Sequence, residues 1–170
     1  MSKALAEESI DLLKRLISIP SFSKEENKTA DALELFFSEH GLHPNRKQNN
    51  VWSVNKHYDA SKPTILLNSH HDTVKPNPGY TRDAFSPDIE DGKLYGLGSN
   101  DAGGCLVSLI AVFRHFYNQE DLQAFSASYH RCLFLLAPGE VRPAAGVMED
   151  PPGLSVKTFM SALFLLLKTI

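Results

Sequence analysis

The sequence has only two cysteines in 170 residues, Cys105 and Cys132, and they do not form a Cys-x-x-Cys pair. That excludes a disulfide framework, and since both lie inside apolar runs the simplest reading is buried, reduced thiols in a cytosolic protein. An excess of positive charge is also lacking. A net charge of −3 removes the electrostatic case for nucleic acid or an acidic membrane surface as a partner. Long hydrophobic runs are missing too: Phe159 to Leu167 is strongly apolar but falls well short of the roughly 20 residues a membrane span needs. Met1 to Ile19 interleaves Glu7, Glu8, Asp11, Lys14 and Arg15 with its leucines, unlike the continuous apolar core of a signal peptide, so the cytoplasm is the expected location. There is no Gly-x-Ser-x-Gly elbow for a serine hydrolase and no Gly-Lys-Ser/Thr phosphate loop. Gly96-x-Gly98 lacks the third glycine of a dinucleotide fingerprint, because Asp101 stands in its place. No internal repeat is visible. What is left is a composition of 42% hydrophobic and 22% charged residues, ordinary for one soluble domain.

The chain is organised around Ile65 to Gly104. Ile65-Leu66-Leu67, opened by Pro63 and closed by polar residues, has the pattern of a strand buried on both faces in a parallel sheet, with His70 and Asp72 just past its carboxyl end, where open α/β sheets bind ligands. Asp101 opens a second element, since Cys105 to Tyr117 is a nearly unbroken apolar segment of helical length. Arg131 to Ala137 reads as another buried strand. Strand, helix and strand in that order predict a crossover unit with two parallel strands, and Glu140 beyond the second strand on the same edge as His70.

Upstream, Leu5, Leu12, Leu13, Leu16 and Ile17 have helical spacing, ended by Ile19-Pro20-Ser21. Ser23-Lys24-Glu25-Glu26 fits a capping box for a second helix running to His40, with Ala30, Leu33 and Phe37 facing the core and Gly41 as its stop. Val51 to Val54 reads as a short strand. From Lys75 to Asp91, Pro76, Pro78, Gly79 and Pro87 among polar residues predict a long loop, of a length that compact domains rarely leave without a function.

Residue types then suggest chemistry. A catalytic zinc site takes neutral imidazole and carboxylates and keeps a position open. His70 can supply the imidazole, Asp72 can accept the proton of its other ring nitrogen, and Asp101 has two oxygens with which to bridge a pair of ions. Each has a plainer reading. Asp101 equally suits a helix N-cap, a lone His-x-Asp triplet is a weak signal, and His71 reads as the spacer of that triplet.

His70-His71-Asp72-Thr73-Val74-Lys75-Pro76 and Tyr95-Gly96-Leu97-Gly98-Ser99-Asn100-Asp101-Ala102-Gly103-Gly104 resemble the two signature motifs of the zinc aminoacylase and carboxypeptidase family. The resemblance runs from about Leu5 to Gln123 and is nearest to the family's acetylornithine and succinylornithine deacetylases. It implies an α/β three-layer sandwich with a largely parallel central sheet, of the zinc-dependent exopeptidase type and incomplete in this chain. It further implies two zinc ions, with cobalt able to substitute. His70 would be a ligand of one, Asp101 the bridge, and Asp72 the residue that orients His70. The implied activity is hydrolysis of the amide of a small N-acyl amino acid, as in arginine biosynthesis, with a homodimer for a full-length parent. A dipeptidase or carboxypeptidase of the same family, or a non-catalytic remnant, are the alternatives. Departures from the family pattern are Leu97 for an arginine, glycine for a lysine near Asp101, and the single Glu140 where the family carries adjacent glutamates, a general base and a ligand.

Residues 123–170 differ in character: 7 charged residues in 48, against 30 in the preceding 122, with Pro138, Pro143, Pro151 and Pro152 clustered. The expectation is that residues 1–122 are the N-terminal part of a zinc-hydrolase catalytic domain and that 123–170 are an atypical, frame-shifted or truncated end, without a dimerisation domain. Only part of the family's ligand set is then present, and the chain as given is expected to be inert.

Overall fold

Two helices precede the first strand, and each buries the stripe its sequence marks out. The structure is a computed structural model that describes residues 3–59, 64–119 and 131–137; these lie within one compact unit, Ser2–Glu140. Glu140 and most of the predicted atypical end lie outside the described residues. Helix α1, Lys3–Ile17, buries Ser9, Leu12, Leu13, Leu16 and Ile17, the i, i+3, i+4, i+7 pattern of an amphipathic helix. Ser9 fits this stripe because its hydroxyl donates to the Leu5 carbonyl at 2.7 Å. Helix α2, Asn27–Glu39, buries Ala30, Leu33 and Phe37, and adds Thr29, Ala32 and Phe36. Gly41 ends it at φ +68°, and the Leu42 N–H closes on the Phe37 carbonyl at 2.9 Å; a left-handed residue in that position favours glycine. The predicted capping box is not formed. Glu26, not Ser23, is the N-cap residue, and the Ser23 hydroxyl is engaged elsewhere.

The main sheet has the order β1-β2-β6-β3, from β1 Asn45–Lys47, β2 Asn50–Val54, β3 Thr64–His70 and β6 Arg131–Ala137. β3 and β6 are parallel, in register from Thr64↔Arg131 to His70↔Ala137, and helix α3, Cys105–Phe116, lies between them in sequence. The expected crossover is therefore present. Among the described residues the sheet is mixed rather than largely parallel, since β2 runs antiparallel to both β1 and β6. β1 and β2 are joined by a tight turn, and a hairpin can only pair antiparallel. Val51 and Ser53 are buried and alternate with half-exposed neighbours along β2.

The core lies between sheet and helices. Phe37 of α2 stacks near Phe113 of α3 at 6.4 Å, and Leu33, Phe37 and Phe113 have no exposed surface; burial of each contributes about 1.5–3 kcal/mol. Along α3, Leu106, Val107, Leu109, Ile110, Ala111 and Phe113 point inward, which leaves Cys105 exposed, contrary to the expectation of a buried thiol. The stretch from Lys75 to Asp91 is not all loop. β4, Asp88–Glu90, and β5, Lys93–Tyr95, form a hairpin around Asp91 and Gly92 at φ 51° and 72°, the pair of left-handed residues that an Asp-Gly turn accommodates.

Candidate metal centre

β3 carries His70 as its last residue, and the backbone turns at once. The ring reaches two carboxylates. Its Nδ1 lies 3.2 Å from the Asp72 carbonyl oxygen and 3.2 Å from Asp72 Oδ1. Both neighbours accept hydrogen bonds only, so a neutral ring with its proton on Nδ1 satisfies that side and leaves the Nε2 lone pair for a ligand. Nε2 faces Asp101 Oδ1 at 3.4 Å. That separation is too long for a well-formed N–H···O bond. Two donors at this spacing would be able to share one zinc ion. The pair is also open to solvent, with side-chain exposures of 36% for His70 and 90% for Asp101, against 8% for Asp72.

Asp101 does not cap a helix. It sits at φ −116°, ψ 102° inside the irregular turn Ser99–Gly104, and the residue before α3 is Gly104. The turn is tight because Gly103 N–H donates to the Gly98 carbonyl at 2.8 Å, so a Cβ on Gly103 would run into that carbonyl and Leu13. Gly98 itself has φ +75° and packs on the Thr73 methyl. The glycines of this motif thus serve close backbone packing beside His70 and Asp72. A small cavity of about 30 Å³, room for about one water, adjoins these residues and is lined by Ile17, Ile19, Phe85 and Leu97 among others.

His71 points the other way, into the protein. Its Nε2 donates to the Asn49 carbonyl at 2.9 Å, and its Nδ1 lies 2.9 Å from the Thr29 hydroxyl. Burial pushes its pKa down, only partly offset by the Asn49 carbonyl and the charges of Glu26 and Asp72. The neutral ring therefore has Nε2–H as donor and Nδ1 as acceptor, and both nitrogens are occupied by protein groups. That makes His71 the spacer expected, and more. Buried Ser21, Thr29 and Glu26, with half-buried Asn49, form a polar layer around it: the Ser21 hydroxyl lies 2.8 Å from that of Thr29 and 2.7 Å from the His71 carbonyl, and Asn49 Nδ2 donates to Glu26 Oε2 at 2.9 Å. None of these was singled out as a site residue in the sequence. The only signal was the polar run after Pro20, which also suits a helix cap.

Two of the predicted site residues are thus brought onto one point, His70 and Asp101, with Asp72 behind His70. Among the described residues no group of three or more His, Cys, Asp or Glu side chains is placed to hold a metal ion. The described donors fit two positions of a zinc site, and Glu140 lies outside the described residues.

Residues 66–127 match the sequence profile of Peptidase family M20/M25/M40. In structure, the chain superposes on an M20 family metallo-carboxypeptidase from Sulfolobus solfataricus with TM-score 0.60 at 24% identity, covering 82% of this chain and 31% of that one. The chain thus has the fold of about a third of that carboxypeptidase. In sequence, the chain is 33% identical over 69 residues to a succinyl-diaminopimelate desuccinylase of Xanthomonas euvesicatoria, covering 39% of this chain and 18% of the relative. It is 39% identical over 103 residues to a Pyrococcus furiosus protein described as a LysW-lysine/LysW-ornithine hydrolase, covering 60% and 28%. The chain therefore spans less than a third of the length of these relatives. The M20 match begins at Leu66 on β3 and takes in His70, Asp72 and Asp101. No described helix is long and apolar enough to cross a membrane.

Proposed function

We infer that this chain carries part of the centre of a zinc-dependent hydrolase that cleaves the amide of a small N-acyl amino acid. The single observation that carries this reading is the pairing of His70 Nε2 with Asp101 Oδ1 at 3.4 Å, with Asp72 on the opposite ring nitrogen. A bound zinc ion would supply Lewis acidity toward the acyl carbonyl. The chain's own residues prepare for it. Asp72 accepts the Nδ1 proton, which fixes the tautomer and makes Nε2 a better donor. Asp101, exposed and in an extended backbone conformation, faces His70 Nε2 with Oδ1 and would have its second oxygen for the same ion or another. Glu140 is assigned the proton transfer to the leaving amine, as the glutamate that follows β6 in sequence.

Acetylornithine or succinylornithine is the finer substrate reading and rests on the motif resemblance. The names of the two matched relatives favour a succinylated or peptidyl diamino acid within the same chemistry. Leu97, whose side chain lines the cavity beside His70 and Asp72, supplies an apolar wall there. The test is zinc content of the purified chain, followed by hydrolysis assays with acetylornithine, succinylornithine, succinyl-diaminopimelate and a dipeptide. Zinc binding that His70→Ala removes is the expected result. Zinc binding indifferent to both His70→Ala and Asp101→Ala would discard the assignment.

A further inference from the structure

The loop between α1 and α2 runs alongside the segment that carries His70 and Asp72. Phe22 pairs with Thr73 in a parallel bridge, and Thr73 N–H donates to the Ser21 carbonyl at 2.7 Å. The Ser21 hydroxyl holds the His71 carbonyl at 2.7 Å. One side chain of this loop goes further: the Ser23 hydroxyl donates to Asp72 Oδ2 at 2.5 Å. We propose that Ser23 is a positioning residue of the metal centre, fixing the Asp72 carboxylate so that its other oxygen stays on the Nδ1 proton of His70. The proposal rests on the metal-centre reading for its consequence, though not for its geometry.

The physical case is one of rotation. Without Ser23 the Asp72 carboxylate has one anchor fewer and more freedom to turn about its Cα–Cβ and Cβ–Cγ bonds, and the His70 Nδ1–H, which keeps the Asp72 backbone carbonyl at 3.2 Å, is less firmly fixed in its tautomer. Asp72 Oδ1 meets His70 Nδ1 at 3.2 Å while Oδ2 meets Ser23. The two contacts use the two oxygens of one carboxylate and thereby fix both torsions. The Asp72 side chain is 8% exposed, so water competes poorly for either oxygen. Ser23 is itself exposed and is not the helix cap. Among the described residues its hydroxyl has no second partner, and its removal leaves no buried void. The backbone ties at Ser21 and Thr73 and the buried His71 hold the two loops together independently of Ser23. A Ser23 substitution should therefore change the carboxylate without changing the loop.

The experiment uses the whole chain and the variants Ser23→Ala and Ser23→Thr. Histidine tautomers are read from long-range ¹H–¹⁵N spectra of the metal-free protein at about pH 8, above the ordinary histidine pKa of about 6.5. Zinc affinity is read by calorimetry. Wild type and Ser23→Thr should show His70 in the Nδ1–H form, whereas Ser23→Ala should show a mixture and bind zinc about tenfold more weakly, at the lower end of the loss that outer-sphere partners cause. The His71 signals should not move in either variant. If Ser23→Ala keeps the wild-type tautomer of His70, the proposal is overturned. It is overturned too if Ser23→Thr behaves like Ser23→Ala, because the hydroxyl would then not be the agent. A wild-type chain that shows the Nδ1–H form but whose zinc binding survives His70→Ala would defeat the metal-centre reading alone, and the tautomer data would still decide the role of Ser23.

Discussion

His70 and His71 are neighbours in sequence and opposites in environment. His70 ends β3 with one ring nitrogen on Asp72 and the other turned toward an exposed carboxylate, while both nitrogens of His71 are satisfied inside a buried polar layer. The alternation of side chains along an extended backbone separates them. What separates them is the kind of contact: both His71 nitrogens are engaged at 2.9 Å by protein groups, whereas His70 Nε2 stands 3.4 Å from a solvent-exposed carboxylate, too far for a well-formed hydrogen bond and open to a ligand. A surface that offers a candidate ligand and an interior that fixes that surface are thus built from one dipeptide.

The contrast predicts two different failures. His71→Ala should cost the most stability, about 2–4 kcal/mol, because it opens a cavity and leaves the Asn49 carbonyl and the Thr29 hydroxyl without the ring. Chemical denaturation would measure it, and a loss below about 0.5 kcal/mol would mean that the layer is replaceable by water. His70→Ala, at a half-exposed position, should leave the denaturation midpoint within about 0.5 kcal/mol of wild type. Its zinc affinity should fall by more than about 100-fold, beyond what a supporting residue costs. If the two variants lost stability and zinc in the same proportion, the distinction between the two histidines would not hold.

Asp72 stands between the two regions, buried like His71 but bonded to His70. Asp72→Ala should keep the fold and weaken zinc binding or turnover by about 10–100-fold. A calorimetric titration that showed wild-type affinity would remove Asp72 from the centre. A loss as complete as that of His70→Ala would argue that Asp72 is itself a ligand.

Much of this arrangement could be read from residue order. The parallel pair β3 and β6, the crossover helix and the stripe of α1 follow from periodicity and length, and they fall within a few residues of where the sequence puts them. The candidate metal ligands were legible because motif and strand end coincide at His70. Three features were hidden, each for a physical reason. Ser23 resembles a helix cap in sequence because a serine three residues before a glutamate fits both a capping box and a loop that reaches Asp72, which lies 49 residues away. The hairpin at Asp91-Gly92 is masked by the prolines of the preceding loop. Cys105 sits in an apolar run, yet helical spacing turns it outward when Leu106, Leu109, Ile110 and Phe113 face the core. Sequence order reports local pattern well and partner choice across the fold poorly.

A second polar cluster gives the smallest effect and the sharpest control. Arg46 on β1 reaches Asp31 at 2.5 Å and Glu34 at 2.9 Å, both on α2, and its pKa is raised first by the Asp31 hydrogen bond and then by that of Glu34. By distance these ion pairs look stronger than the contacts of His71. They are nevertheless largely exposed, with the carboxylate side chains at 63% and 41%, so water and salt screen them and two long side chains must be ordered to form them. Arg46→Met keeps the aliphatic stem and removes the charge. It should cost less than about 1 kcal/mol at low salt, and the difference from wild type should shrink further at about 1 M salt, where the Debye length is about 3 Å. The His71→Ala deficit, which arises from buried hydrogen bonds and volume, should be nearly indifferent to salt. A salt-independent loss for Arg46→Met as large as that for His71→Ala would show that the β1–α2 contact, rather than the buried layer under the metal-facing loop, is the main polar support of this fold.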